Sequence, residues 1–367
     1  MKGALKIAHV LSSLHVGGAE RVSLLIVAEL VRRGNAVSVV SLEEFKDGPL
    51  ESEFEAAGAT VVRVPKAQGG YDKRLGLALY RHFASARYSV IHTHNPIPLI
   101  YAAIPARASG ARVVHTKHGP HPDSRARVML RRFGALATHR FVAVSRATAD
   151  YALEIHEVSA KKLRVVENGT DLERFKPNPA LRAAVRAELG IPESAFVIGT
   201  VGRMAPVKNH PLLVRAAAPL LGAETRLVIV GNGAEFERTQ AVAEDVGVRA
   251  YCHFPGETRA VERYLAALDV FALSSDSEGM PLSLTEAMGV ELPMVSTRVG
   301  GIPKIIDEGE TGLMVDKGDE AGLRAAFERL RSDRALGQLM GRRGREIAES
   351  RYSAARMVDA YEELYRP

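Results

Sequence analysis

The 367-residue chain alternates short apolar runs with helical patterns, and it does so twice. In the first half, strand candidates fall at 6–10, 36–41, 60–64, 89–93, 112–116 and 140–143. Helical periodicity lies between them, near 18–33, 72–87, 96–109, 124–137 and 145–155. Such alternation argues for a parallel sheet covered by helices on both faces. After a stretch that makes poor helix, the pattern restarts with a strand at 197–201. Ligands of these sheets bind outside the carboxyl ends of the strands, so the loops that follow the strands are where chemistry is sought.

The most informative stretch is LDVFALSSDSEGMPLSLTEAMGVELPMVSTRVGG, residues 268–301. Val270, Phe271, Ala272 and Leu273 have the length and composition of a buried parallel strand. A polar loop follows, and Pro281 suits a first helical position, where its missing N–H costs nothing. Leu284, Ala287 and Met288 recur at the spacing of a helix that packs one face on a sheet. Pro293 stops that helix, and a strand resumes at 294–297. Glu278 lies in the loop and Glu286 inside the helix, so the two carboxylates can touch different parts of one ligand. The backbone N–H groups of Gly279, Met280 and Leu282 would face the same place, and helix N-termini bind anions. Two solvated glutamates at a helix start are the plainer reading of the same residues.

A chain this long accommodates two domains of about 170 residues each. Its 46% apolar and 25% charged residues are those of an ordinary soluble protein. The single cysteine, Cys252, excludes an internal disulfide and suits a reducing compartment. No segment approaches ~18 uninterrupted apolar residues and no signal-peptide pattern opens the chain, so a cytoplasmic protein is expected. The net charge of +6 is clustered: between Arg112 and Arg146 there are eight Lys or Arg against one acid, Asp123. Within that segment Val128, Met129 and Phe133 can share a helical face flanked by Arg125, Arg127, Arg131 and Arg132. A basic amphipathic helix reads as an element for an anionic membrane surface, or else as a solvated arginine face over an ordinary core stripe. No repeat and no nucleic-acid-binding motif is present.

Loops after other strands add candidates. Gly17 and Gly18 stand between the first strand and first helix, where glycine lets backbone approach a phosphate or sugar and where plain turns favour it too. His92 and His94 follow the fourth strand, and His115, His118 and His121 the fifth. Clustered imidazoles invite a metal reading, but no carboxylate or thiolate completes a convincing ligand set, and none is assigned. The stretch Asn168-Gly-Thr-Asp171 to Pro179 is a linker by composition. Next, Gly202-Arg203 and Lys208-Asn209 bring two cations into a glycine turn before a helix, which suits a diphosphate. Arginine would clamp two oxygens and lysine supply a mobile point charge. Gly231 and Gly233 form a further turn after a strand, but Phe236 stands where a dinucleotide-binding fold needs its third glycine.

The string Glu278-Gly-Met-Pro-Leu-Ser-Leu-Thr-Glu286 resembles the E-x7-E donor-site motif of retaining glycosyltransferases, particularly glycosyltransferase family 4. GGAER at 17–21, HGPH at 118–121, NGTD at 168–171, GRMAPVKN at 202–209 and GNG at 231–233 occur in that family's order, and together they cover nearly the whole chain. The resemblance implies the GT-B fold: two doubly wound, Rossmann-like α/β domains facing each other across a cleft. These would be an acceptor-side domain at 1–170 and a donor-binding domain at 171–352, with a last helix at 353–367 crossing back.

The resemblance further implies retaining transfer from a UDP- or GDP-linked sugar to a saccharide acceptor, often lipid-linked and at the inner membrane face. By the same resemblance, Glu278 and the Gly279–Leu282 backbone would orient the sugar and Glu286 would hold the ribose. Arg203 and Lys208 would stabilise the departing diphosphate, and His118 would lie against the reacting sugar. The glycines at 17, 18, 231 and 233 would line the donor. No D-x-D pair is present, so neither a metal nor another cofactor is expected to be essential. Two rivals remain. A nicotinamide oxidoreductase lacks its G-x-G-x-x-G fingerprint here. A sugar-nucleotide epimerase or a non-catalytic sugar-nucleotide-binding protein could share the fold.

Overall fold

The computed structural model describes residues 3–15, 17–43, 48–67, 71–119 and 121–366. They form two units, one of residues 1–169 and 354–367, the other of residues 170–353.

The first unit runs β1 (Lys6–Leu11), α1 (Gly18–Arg32), β2 (Ala36–Ser41), α2 (Glu51–Ala56), β3 (Thr60–Arg63), α3 (Lys73–Ala86), β4 (Val90–His94), α4 (Pro96–Ala108), β5 (Arg112–Lys117), α5 (Arg125–Ala137), β6 (Arg140–Ala143), α6 (Arg146–Glu154) and β7 (Leu163–Val165). All strands are parallel, in the order β3-β2-β1-β4-β5-β6-β7. The second unit runs α7 (Pro179–Glu188), β8 (Phe196–Val201), α8 (His210–Ala217), β9 (Thr225–Val230), α9 (Phe236–Asp245), β10 (Cys252–Gly256), α10 (Val261–Ala267), β11 (Val270–Leu273), α11 (Leu282–Gly289), β12 (Met294–Thr297), β13 (Gly312–Val315), α12 (Glu320–Ser332) and α13 (Arg334–Arg351). Its parallel sheet has the order β10-β9-β8-β11-β12-β13. The last helix, α14 (Ala354–Tyr365), belongs to the first unit, where Arg33 pairs with Asp359 and Glu362 and Arg112 donates to the Leu364 carbonyl.

The central strands are buried on both faces, β8 and β11 along their whole length, which explains why they read as continuous apolar runs rather than alternating ones. In both sheets the strand order reverses beside the first strand of the unit: between β1 and β4, and between β8 and β11. At such a switch point neighbouring loops diverge to opposite faces and leave a crevice.

Three elements depart from the sequence reading. Helix α2 is six residues with only Phe54 buried, and β7 is a three-residue edge strand with Arg164 and Val165 exposed; neither carries enough apolar pattern to announce itself. Pro281 is the residue before α11 rather than its first helical residue. Its ψ is 118°, so the ring fixes φ while the chain stays extended until Leu282.

Candidate active site

In the second unit, the loops after β8 and β11 flank the switch point, and they are fastened together. Asp276 N donates to the Val207 carbonyl at 2.7 Å, and Ser274 Oγ donates to the Lys208 and Asn209 carbonyls at 3.1 and 2.9 Å. Asn209 takes the left-handed conformation, φ 48°, which asparagine tolerates better than most residues. The turn so formed aims Lys208 at the neighbouring loop, where its Nζ lies 2.6 Å from Glu278 Oε1. Ser275 Oγ donates to the same oxygen, also at 2.6 Å. Ser275 is held in turn by Thr297 Oγ1, which donates to its carbonyl at 2.6 Å. Arg203, on the same β8 loop, is exposed, and among the described residues its guanidinium has no partner. Of these two loops, the first therefore offers Arg203 without a partner among the described residues and Lys208 already oriented by a carboxylate, both at the carboxyl edge of the sheet. Glu286 sits half-buried one turn into α11.

The glycines act mainly through backbone packing. A Cβ on Gly231 would lie 1.9 Å from the Gly202 carbonyl oxygen, and one on Gly233 would lie 2.5 Å from that of Met204. The β9 turn is thus pressed against the Arg203 loop, and Met204 N donates to the Asn232 carbonyl at 2.8 Å. Gly300 and Gly301, whose role the sequence reading missed, do the same for the glutamate loop. Their Cβ positions would fall 1.8 Å from the Glu278 carbonyl oxygen and 2.0 Å from that of Gly279. The signal was the Gly-Gly pair just after β12.

In the first unit, Gly17 precedes α1 and Gly18 opens it, with no atom near the Cβ position of Gly18. His118 follows β5. Its backbone N–H reaches Asn95 Oδ1 at 3.3 Å, and His121 Nε2 lies 3.0 Å from the same oxygen. Its ring stacks near His94, Nε2 to Nδ1 3.0 Å. Burial pushes His118 down to about 3 and His121 to about 4, so both rings are neutral near pH 7. Val16 and Pro120, within the two motifs of these loops, lie outside the described residues.

The arginine helix corrects one expectation. Arg131 is fully buried: its Nε is 3.1 Å from Glu157 Oε1, its Nη1 donates to the His121 carbonyl at 2.9 Å, and Lys117 Nζ donates to Glu157 Oε2 at 2.9 Å. Two buried cations around one carboxylate require this pairing, since an isolated charge could not be desolvated. Val128 is half-buried, whereas Met129 and Phe133 are 56% and 55% exposed and Leu136 73%. Arg125, Arg127 and Arg132 are exposed beside them, with Arg132 tied to the Ile155 carbonyl at 2.6 Å.

A separate cavity of about 460 Å³ is lined by Phe196, Asp269, Pro293 and Arg334 among others. It sits at the amino-terminal edge of the second sheet, away from the polar loops. Among the described residues no helix is long and apolar enough to cross a membrane.

Two doubly wound parallel sheets, each with its polar loops at a switch point, define a Rossmann-like α/β protein of two nucleotide-binding-type units. The sequence pattern described as "Glycosyltransferase Family 4" matches residues 16–174, and that described as "Glycosyl transferases group 1" matches residues 182–347. D-inositol 3-phosphate glycosyltransferase of Saccharomonospora viridis is 30% identical, over 92% of this chain and 86% of the relative. The UDP-Gal:alpha-D-GlcNAc-diphosphoundecaprenol alpha-1,3-galactosyltransferase of Escherichia coli is 26% identical, over 98% and 96%. Among solved structures, Anabaena HepE in complex with UDP superposes with a TM-score of 0.84 at 20% identity, covering 98% of this chain and 99% of that one. The chain belongs to glycosyltransferase family 4, with the GT-B fold. It is a glycosyltransferase.

Proposed function

We propose that the protein moves a sugar, with retention of configuration, from a nucleoside-diphosphate sugar to a saccharide acceptor carried on a lipid. The observation that carries this reading is the Lys208–Glu278 pair, 2.6 Å apart at the switch point of the second unit and just ahead of α11. A lysine has three donors. One bond to Glu278 leaves two for diphosphate oxygens, and Arg203 adds a bidentate clamp. Together with the backbone at the start of α11, these cations stabilise charge on the leaving diphosphate, which is electrostatic catalysis. Glu278, with Ser275 on the same oxygen, orients the sugar, Glu286 binds the ribose, and His118 is assigned to the transferred sugar.

In this reading the acceptor oxygen attacks on the face that the phosphate leaves. The bond from C1 to the phosphate oxygen breaks, the bond from C1 to the acceptor oxygen forms, and the acceptor proton passes to the departing phosphate. Neither step calls for a divalent ion, in keeping with a sequence that lacks a D-x-D pair. The relatives support the donor and acceptor classes: the name of the Escherichia coli enzyme specifies a UDP-sugar and a diphosphoundecaprenol-linked acceptor, and HepE was solved with UDP. The exposed Met129, Phe133 and Leu136, beside Arg125, Arg127 and Arg132, support docking on anionic lipid.

The test is a panel of UDP- and GDP-sugars, each assayed for binding and slow hydrolysis with and without EDTA. Hydrolysis of one donor with retention, unchanged by EDTA, is expected. Activity abolished by EDTA and restored by Mg²⁺ would overturn metal independence. Release of an inverted sugar would overturn retention, and epimerised nucleotide sugar would favour an epimerase.

A further inference from the structure

His9, His94 and His118 come from β1, β4 and the loop after β5, neighbours in the first sheet. Their rings form one hydrogen-bonded row. His9 Nδ1 lies 3.0 Å from His94 Nε2, and His94 Nδ1 lies 3.0 Å from His118 Nε2. The two end atoms, His9 Nε2 and His118 Nδ1, are buried and have no hydrogen-bond partner among the described residues. His92 packs on the row, its ring centroid 4.1 Å from that of His94, but stands apart from it. Its own nitrogens are taken by Tyr365 Oη and Thr116 Oγ1, each at 2.7 Å. His115 is likewise diverted to Thr93 Oγ1 at 3.0 Å.

We propose that His9 and His94 are positioning residues that lock the tautomer of His118, so that it offers Nδ1–H as a hydrogen-bond donor to a ligand oxygen. The inference rests on the reading of His118 as a sugar-binding residue. Each neutral imidazole has one N–H and one bare nitrogen. Burial keeps all three rings neutral, pushing His9 and His118 down to about 3 and His94 well below the ordinary range. With one proton per ring, two shared bonds allow only two arrangements. In one, protons on Nδ1 of His9 and of His94 point along the row, and His118 carries its proton on Nδ1. In the other every proton is reversed: His118 Nδ1 is bare and His9 Nε2 carries an N–H.

The ends of the row are not equivalent. His9 is fully buried within β1, whereas His118, with its Nδ1 covered, is half-buried in a loop at the carboxyl edge of the sheet. Buried N–H groups without an acceptor are rarer in proteins than under-used acceptors. The first arrangement puts the bare nitrogen at the interior end and the N–H on the residue at the carboxyl edge of the sheet, the end nearer to where ligands of such sheets bind. It makes His118 a donor to a sugar oxygen, not a base that removes a proton.

Ring ¹⁵N shifts of the selectively labelled, ligand-free protein at pH 7.5 read the tautomers directly. The expected pattern is a protonated Nδ1 and bare Nε2 on His118, with the same on His94 and His9. Protonated Nε2 on His118 would overturn the proposal. So would one equivalent of Zn²⁺ bound through His9, His92 and His94, because ligation would use the lone pairs that hold the row. In His94→Phe the row is cut: the His118 signals should shift toward mixed tautomers and kcat should fall roughly tenfold, as for one lost hydrogen bond. His94→Gln, which keeps a donor and an acceptor, should restore most of that loss. In a His118→Ala background, His94→Phe should change kcat little further. Full additivity there would reduce His94 to a packing residue. The tautomer readout stands even if no sugar transfer is found, so the two readings fail separately.

Discussion

Lys208 and Glu278 are 70 residues apart in the chain, yet their charged atoms are 2.6 Å apart, because β8 and β11 are neighbours in a sheet whose intervening strands lie on one side of β8. The sequence motifs treat them as two separate contacts, one to phosphate and one to sugar. The structure couples them, so a change at one must disturb the other. Lys208→Ala is expected to cut turnover by about 100-fold, since one oriented charge donor contributes about 3 kcal/mol in a transition state. Glu278→Gln should also lower turnover strongly. The double variant should lose at least about 1 kcal/mol less than the sum of the two, as residues in contact do. Additive losses would mean the pair does not act together.

Glu286 should behave differently. It lies a turn inside α11, beyond the Lys208–Glu278 pair. Glu286→Gln is expected to weaken binding of the nucleoside diphosphate alone, measured calorimetrically, by about tenfold, as for a hydrogen bond to a charged acceptor. Glu278→Gln should leave that binding nearly unchanged. The opposite pattern would exchange their roles.

Gly301 tests how the glutamate loop is held. A methyl group there would sit 2.0 Å from the Gly279 carbonyl oxygen, so backbone must move. Gly301→Ala should destabilise by about 1–3 kcal/mol and lower turnover as the loop shifts. Gly18→Ala meets no atom within 4 Å and should keep full stability. A drop in turnover there would report a ligand lying close to the backbone.

Much of this was legible beforehand, for a physical reason. Strands buried on both faces announce themselves as apolar runs, and Gly or Pro punctuates the turns between them. Most strands and helices therefore fell within a residue or two of expectation. What the chain hid were pairings set by sheet order. Arg131 reads as a surface residue beside Arg132 because its partner, Glu157, lies in the turn after α6, and only the fold reveals that the charge is buried. The histidine row is equally invisible: its members come from β1, β4 and the loop after β5. Gly231 and Gly233 read as ligand contacts, while their close approach is to other backbone.

The buried histidines make a pH prediction with a definite sign. Burial lowers His9 and His118 to about 3, and His92, His94 and His115 well below 6.5. Below pH 6.5 the unfolded chain takes up protons on these rings and the folded chain does not. More protons on the unfolded state means that stability rises with pH. It should be level with respect to these groups above about pH 7 and fall steadily from 6.5 towards 4. Each ring contributes a slope of up to about 1.4 kcal/mol per pH unit. Urea midpoints between pH 8 and 5 measure this, and His94→Gln should make the fall shallower by about one proton. A flat profile between pH 7 and 5 would mean that the rings charge within the fold.

The arginines of α5 separate into two kinds, and the separation can be tested on lipid. Arg125, Arg127 and Arg132 are exposed among Met129, Phe133 and Leu136, while Arg131 is inside, paired with Glu157. Each arginine at an anionic surface contributes about 1 kcal/mol, so three give reversible binding that salt weakens. The exposed apolar side chains add to this once they leave water. Sedimentation with anionic and neutral liposomes should show binding to the anionic ones at low salt. Arg125→Gln with Arg127→Gln should weaken that binding without lowering the melting temperature. Arg131→Gln should instead lower stability by about 3–5 kcal/mol, because it leaves a buried carboxylate short of a partner. Equal recovery on both lipid types, or no loss in the double variant, would remove α5 from the membrane and leave its arginines a solvated face.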